Sequence, residues 1–330
     1  MDRANASREY EAFDMAYRES ILHLREAGCN VAAVLDPTSV GSGFGSVRRP
    51  TREIIGYQFC LRNPRKRLLS PSLRRINLPF AIANTIWTLK GASDLETIGF
   101  YNSRGHRFSS DGIQIEAAFG DRLFNQSDQI LHALRRIGAD RESRRAFAAI
   151  YQPSDTVEDH PGVPCAVGLH FMLRNDRLDL NVLMRSQSAA AVMPYDVFLF
   201  SMIHEVAAHR LHTPMGRYHH YASSFHYYDD EFELVEQVCK SQSDDSVCQM
   251  PEMPPAGEEV FEEVFFLEQE IRRRSEDGTL DSLDLRSSSL ATYWQHLLAV
   301  LLIYALRKDG RNPQEDKWCW LPDEYRRLLW

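Results

Sequence analysis

The stretch that most constrains this chain is residues 165–212. CAVGLHFML (165–173) and LDLNVLMRS (178–186) are apolar runs of strand length, and between them sits the polar turn RNDR. Two such runs joined by so short a turn predict an antiparallel hairpin. A hairpin alone is at best marginally stable in water, so its apolar face needs a cover. The next segment supplies one: residues 195–212 are apolar over most of their length and predict a helix. Sheet and helix packed together define an α+β class.

The remaining elements follow the same logic. Residues 8–27 read as an amphipathic helix and 36–50, rich in Gly, Ser and Pro, as a loop. REIIGYQFCL (52–61) has strand character, and 78–91 reads as a helix stopped by Gly91. Residues 126–140 form another helix, with Ser127 as its cap, followed by a strand at 146–152. Residues 217–228 are aromatic and strand-like. A Pro- and acid-rich linker at 250–259 precedes helices at 258–274 and 289–308.

Bulk properties limit the functions. A net charge of −8 argues against a nucleic-acid binder, although it leaves room for a local basic pocket. The six cysteines, at 29, 60, 165, 239, 248 and 319, form no CxxC pair and read as free thiols of a reducing compartment. The most apolar run, Leu297 to Leu306, is too short to span a bilayer. The polar N-terminus is no signal peptide. These features predict a cytoplasmic protein with no membrane partner.

Three motifs bear on chemistry. HEVAAH (204–209) spaces its histidines five apart, about 500° around a helix, so the rings diverge, unlike the zinc-binding HExxH; no metal is expected. Cys165 follows Pro164 at a strand start. A lone cysteine there is usually a small apolar residue, but a thiolate nucleophile needs positive surroundings. Arg144, Arg145 and Arg185 are candidates to supply them, and together with Cys165 they suggest an anion site beside a nucleophile.

At this combination the chain resembles the thymidylate synthase family, over about residues 46 to 230. DQILHALRRIGADRESRRAFAAIYQPSD, GVPCAVGLHF, LMRSQSAAAVMPYD and SSFHYY resemble, in order, the family's arginine-bearing segment, its cysteine segment, QRSxDxxLGxPFN and DAHxY. FGDRL resembles YGxQW, and ANTIWTLKG resembles ELLWFLxG. The resemblance implies one thymidylate-synthase-like domain over 1–330. A large mixed β-sheet would be flanked by helices, with an additional helical extension at 250–330. It also implies a homodimer formed through the sheet.

Residue by residue, the resemblance makes Cys165 the nucleophile toward C6 of a pyrimidine nucleoside monophosphate. Arg185 and Ser186 would hold the phosphate, joined by Arg144 and Arg145 of the neighbouring subunit. An arginine of 46–52 would complete the set, Arg48 first and Arg49 as its substitute. His226 and Tyr228 would contact the sugar. Asn84, Trp87 and Ser188 would lie toward the co-substrate, 5,10-methylenetetrahydrofolate.

Departures from the family pattern shape the function. Asp196 stands where the family has a uracil-reading asparagine. A carboxylate accepts from the C4 amino group of cytosine and from a protonated N3. The same exchange distinguishes cytidylate hydroxymethylases within the family. The competing reading of Asp196 is a helix N-cap. Asn84, Phe119, Ala166 and Ser188 replace the family's glutamate, tyrosine, histidine and aspartate, and weaken the case for hydride transfer. The expected function is therefore 5-hydroxymethylation of CMP in nucleoside antibiotic biosynthesis. CMP is preferred over dCMP because the excess of arginine over lysine suggests a GC-rich genome. The alternatives are dCMP hydroxymethylation, thymidylate synthesis on dUMP and a non-catalytic nucleotide-binding role.

Overall fold

The computed structural model describes residues 8–36, 47–157, 160–243, 249–311, 313 and 319–329. The order is β1 (Arg8–Tyr10), α1 (Phe13–Ala27), β2 (Cys29–Asp36), β3 (Val47–Leu61), α2 (Leu78–Leu89), α3 (Leu95–Tyr101), α4 (Gln129–Ala139) and β4 (Phe147–Ala149). Then come β5 (Ala166–Arg174), β6 (Arg177–Ser188), α5 (Met193–Arg210), β7 (Met215–Tyr228), α6 (Phe232–Lys240), α7 (Glu258–Glu276), α8 (Thr292–Lys308) and α9 (Asp323–Leu329). The strands form one seven-stranded mixed sheet in the order β1-β3-β7-β6-β5-β4, with β2 paired to β3.

The hairpin β5–β6 turns at Asn175 and Asp176, both in the left-handed region (φ 51° and 57°), the geometry a two-residue hairpin turn requires. α2 is capped by Asn77, whose side chain accepts from the Phe80 N–H at 3.0 Å, and Gly91 takes the positive φ beyond its end. Four expectations shift. Residues 8–10 leave the predicted first helix and pair in parallel with β3. β3 begins at Val47, inside the predicted loop, of which 37–46 lie outside the described residues. The strand after α4 is only 147–149. Asp128, not Ser127, caps α4, its carboxylate accepting from the Leu131 N–H at 3.2 Å.

α5 is apolar all round because it is covered on both sides. Val197, Leu199, Phe200 and Ile203 join the core with α1, α4 and the inward face of the sheet. Phe198, Met202 and Val206 join a second cluster with α2, α7, α8 and α9. A helix with no polar face has to be interior. Its first turn is thereby fixed against the ends of β6 and β7.

The sheet is not a regular pleat. Along β6 the inward residues run Leu178, Leu180, Val182, Met184 and then Gln187, skipping three instead of two. β7 slips at the paired level, from Ala222 to Phe225, and β3 from Tyr57 to Ile54. Gly56, in the middle of the β3 slip, has φ +70°, which only glycine adopts cheaply. The aligned slip turns Arg185 outward and Gln187 inward.

Candidate active site

The strand directions bring one set of side chains to one end of the sheet. β6 and β7 run parallel and finish there, whereas β3 and β5 are antiparallel to them and start there. Cys165, immediately before β5, is exposed, and its carbonyl accepts from the Arg185 N–H at 2.8 Å. The Arg185 guanidinium folds back on the same turn, donating to Pro164 O at 2.9 Å and Val163 O at 3.1 Å. These partners are carbonyl dipoles, so the positive charge beside Cys165 is not cancelled by a carboxylate through them.

On the neighbouring strand, Ser188 is level with His226, whose carbonyl accepts from the Ala189 N–H at 2.7 Å. His226 is 7% exposed and meets the Tyr228 ring edge-on at 5.0 Å. Arg49 lies over that ring at 3.7 Å and is paired with Asp230. Of the two candidate arginines of 46–52, Arg49 is thus placed beside Tyr228, and the Arg48 side chain lies outside the described residues. Ser224 bridges Glu53 and His226, donating to the Glu53 carboxylate and lying 3.3 Å from His226 Nδ1.

Asp196 sits in the first turn of α5 and is half-buried. It is not the N-cap: that position is Val192, and no side chain caps the helix there. Burial pushes its carboxyl up from the usual range to about 7, and the Gln187 amide, donating to Oδ2 at 2.8 Å, opposes the rise. The segment ahead of the helix is clamped. Arg74 donates to Ala190 O and to Ala191 O (2.8 Å for the latter), and Tyr17 donates to Ala190 O at 2.8 Å.

The other expected residues fall in three places. Arg144 and Arg145 are exposed just before β4, whose partner positions on β5 are 168–170, so within one chain they are not brought to Cys165. Asn84 is half-buried on α2, while Trp87 is 5% exposed, packs with Ile98 and Ala118, and donates to Asp94. Ser188 Oγ is buried and has no hydrogen-bond partner among the described residues. In HEVAAH, His204 is buried against Leu178 O at 2.6 Å. Among the described residues no group of three or more His, Cys, Asp or Glu gathers to hold a metal. No helix among them is long and apolar enough to cross a membrane.

The residues that sequence reading missed are Gln187, His220 and Tyr218, which lie behind Asp196. Strict alternation from Leu178 puts Ser186, not Gln187, on the inward face; the slip reverses this. A Tyr and a His two apart, on one face of the strand-like run 217–228, were the signal the sequence offered.

The thymidylate synthase family model matches residues 46–261, and the chain belongs to that family. Among its relatives, the deoxyuridylate hydroxymethyltransferase of Bacillus phage SP01 is 32% identical over 206 residues, covering 57% of this chain and 54% of the relative. That of Pseudomonas phage M6 is 25% identical over 217 residues, 62% of each. The chain thus spans little more than half the length of these relatives. Thermostable thymidylate synthase A from Bacillus subtilis has the same fold, with a TM-score of 0.56 over 70% of this chain and 85% of the other at 19% identity.

Proposed function

We propose that the chain hydroxymethylates C5 of CMP, using methylenetetrahydrofolate and water and releasing tetrahydrofolate. Asp196 carries the reading. A carboxyl pushed up to about 7 is half-protonated near neutrality. In that form it donates through O–H and accepts through C=O. Cytosine offers the complementary pair, a lone pair at N3 and an N–H at C4.

As the Cys165 sulfur bonds to C6, N3 becomes basic and takes the Asp196 proton, a general acid with a pKa near ambient pH. C5, now nucleophilic, bonds to the one-carbon unit. Loss of the C5 proton and of tetrahydrofolate leaves an exocyclic methylene. Water adds there and Cys165 departs, so that CMP has gained CH2O. Covalent addition divides a hard substitution into easier steps.

The other residues fit these roles. Arg185 and Ser186 would hold the phosphate, completed by Arg49 or Arg48 and by Arg144 and Arg145 of a second subunit. His226 and Tyr228 would hold the sugar. Asn84, Trp87 and Ser188 would wall the folate side, where the unpartnered Ser188 Oγ suits a ligand contact. Apolar exposure at Ile55 (74%) and Tyr221 (40%) suits packing against a second copy.

The names of the phage relatives favour a second reading, hydroxymethylation of dUMP. A neutral Asp196 also donates to O4 and accepts from N3–H of uracil, whereas an ionised one cannot donate. Mass spectrometry of CMP, dCMP and dUMP after incubation with the folate separates these readings. We expect gain of CH2O on CMP first and dCMP second, lost in Cys165→Ala. Gain on dUMP alone would sink the cytosine assignment, and gain of CH2 with dihydrofolate would mean thymidylate synthesis. No product from any nucleotide would mean a non-catalytic binder.

A further inference from the structure

Behind Asp196 lies a chain of hydrogen bonds that the reaction above does not use. Gln187 Nε2 donates to Asp196 Oδ2 at 2.8 Å, and Gln187 Oε1 lies 2.9 Å from His220 Nε2. His220 Nδ1 lies 3.1 Å from the Tyr218 hydroxyl. Gln187 and His220 are each 1% exposed and Tyr218 0%. The His220 ring is also stacked on Phe59, with centroids 5.0 Å apart. Burial drives its pKa down to about 3, so it is a neutral imidazole with one N–H and one lone pair.

We infer that Gln187 is the positioning residue for Asp196, and that Tyr218 and His220 set which end of the Gln187 amide faces it. The inference rests on Asp196 being the base reader. Only two arrangements give every link of the chain one donor and one acceptor. In the first, Tyr218 O–H donates to Nδ1, Nε2–H donates to Gln187 Oε1, and the amide donates to Asp196. In the second, every bond is reversed: the Asp196 proton sits on Oδ2 and donates to Oε1, the amide donates to Nε2, and Nδ1–H donates to the tyrosine oxygen.

The two differ in what the base meets. In the first, Oδ2 is already an acceptor for Gln187, so the proton of a neutral Asp196 is carried on Oδ1. In the second the proton points inward, and Oδ1 can only accept. A phenol donates more readily than it accepts in a buried site, because its proton is then satisfied. Tyr218 thereby biases the whole chain to the first arrangement. Two residues that lie behind the carboxyl would thus fix the donor–acceptor order shown to the base.

The test combines a spectroscopic and a kinetic readout. Nitrogen-15 NMR of the histidines should show His220 of the wild type as the Nε2–H tautomer, with Nδ1 as a hydrogen-bonded lone pair. Tyr218→Phe should lose that bias. The ratio of kcat/KM between cytosine and uracil nucleotides should fall roughly 10- to 100-fold in Gln187→Met and roughly 3- to 10-fold in Tyr218→Phe. An Nδ1–H tautomer in the wild type would overturn the inference. So would unchanged selectivity in both variants with turnover retained. Should Gln187→Met fail to fold, Tyr218→Phe and the tautomer decide. A wild type that turns over dUMP alone would remove the cytosine reading but not the relay, which the same tautomer and variants would then judge on dUMP.

Discussion

Two arginines near opposite ends of the sheet, Arg67 and Arg185, are held in opposite ways, although Arg49 at the Cys165 end is paired with Asp230. At the end where β6 and β7 begin, the guanidiniums are matched with carboxylates. Arg67 pairs with Glu205, both fully buried; Arg65 pairs with Glu252 and Arg62 with Glu11. Glu205 also accepts from the Met253 N–H at 3.0 Å, which pins the segment leading to α7. At the other end, Arg185 is held by two carbonyl oxygens beside Cys165. Dipoles orient a guanidinium without neutralising it. The Arg67 charge is therefore cancelled by a buried carboxylate, whereas the Arg185 charge is met by carbonyl dipoles.

Substitutions at each end sharpen the contrast. Arg67→Met should have the largest effect, because it leaves Glu205 buried without its counter-charge, at about 3–5 kcal/mol of stability. Denaturant unfolding should show this loss while KM for the nucleotide stays unchanged in the folded fraction. Arg185→Gln should do the reverse, with a near-normal unfolding midpoint and kcat/KM lowered about 10- to 100-fold, mostly through KM. Equal stability losses in the two variants would break the comparison.

Asp196→Asn has the smallest effect on stability, and its size depends on pH. The folded carboxyl titrates near 7, whereas an unfolded one titrates near 3.8, the ordinary value for an aspartate, so burial costs stability progressively as pH rises between them. The amide removes that cost. The variant should match the wild type near pH 4 and exceed it by about 1–2 kcal/mol at pH 8, allowing for partial exposure. Parallel unfolding curves at the two pH values check this. The same variant should lose its preference for cytosine.

The fold was largely legible because its strongest signals are local. The hairpin at 165–188, the apolar α5 and the Gly91 stop all follow from periodicity and turn chemistry. The misses have physical causes. The strand at 8–10 owes its conformation to pairing with residues 59–61, far along the chain. Ser127 lost the cap to Asp128, one residue nearer the helix, whose carboxylate reaches the Leu131 N–H. At the candidate site, Cys165, Arg185, Asp196, His226 and Tyr228 were proposed from motif order, and the strand directions bring them to one end of the sheet. Gln187 escaped notice because an alternation rule assumes an unbroken pleat, whereas Tyr218 and His220 keep the alternation and read simply as core positions of β7.

The slip shared by β3, β7 and β6 has a consequence for how such a site changes over generations. It acts as a reading frame. Exchanging one side chain on either side of it leaves the frame itself in place. A one-residue insertion or deletion between Met184 and Gln187 would instead rotate everything downstream, carrying Gln187 to the outer face and breaking its alignment with β7. Substitution therefore preserves the frame that places Gln187 level with Phe225, whereas a change of length within the three strands breaks it.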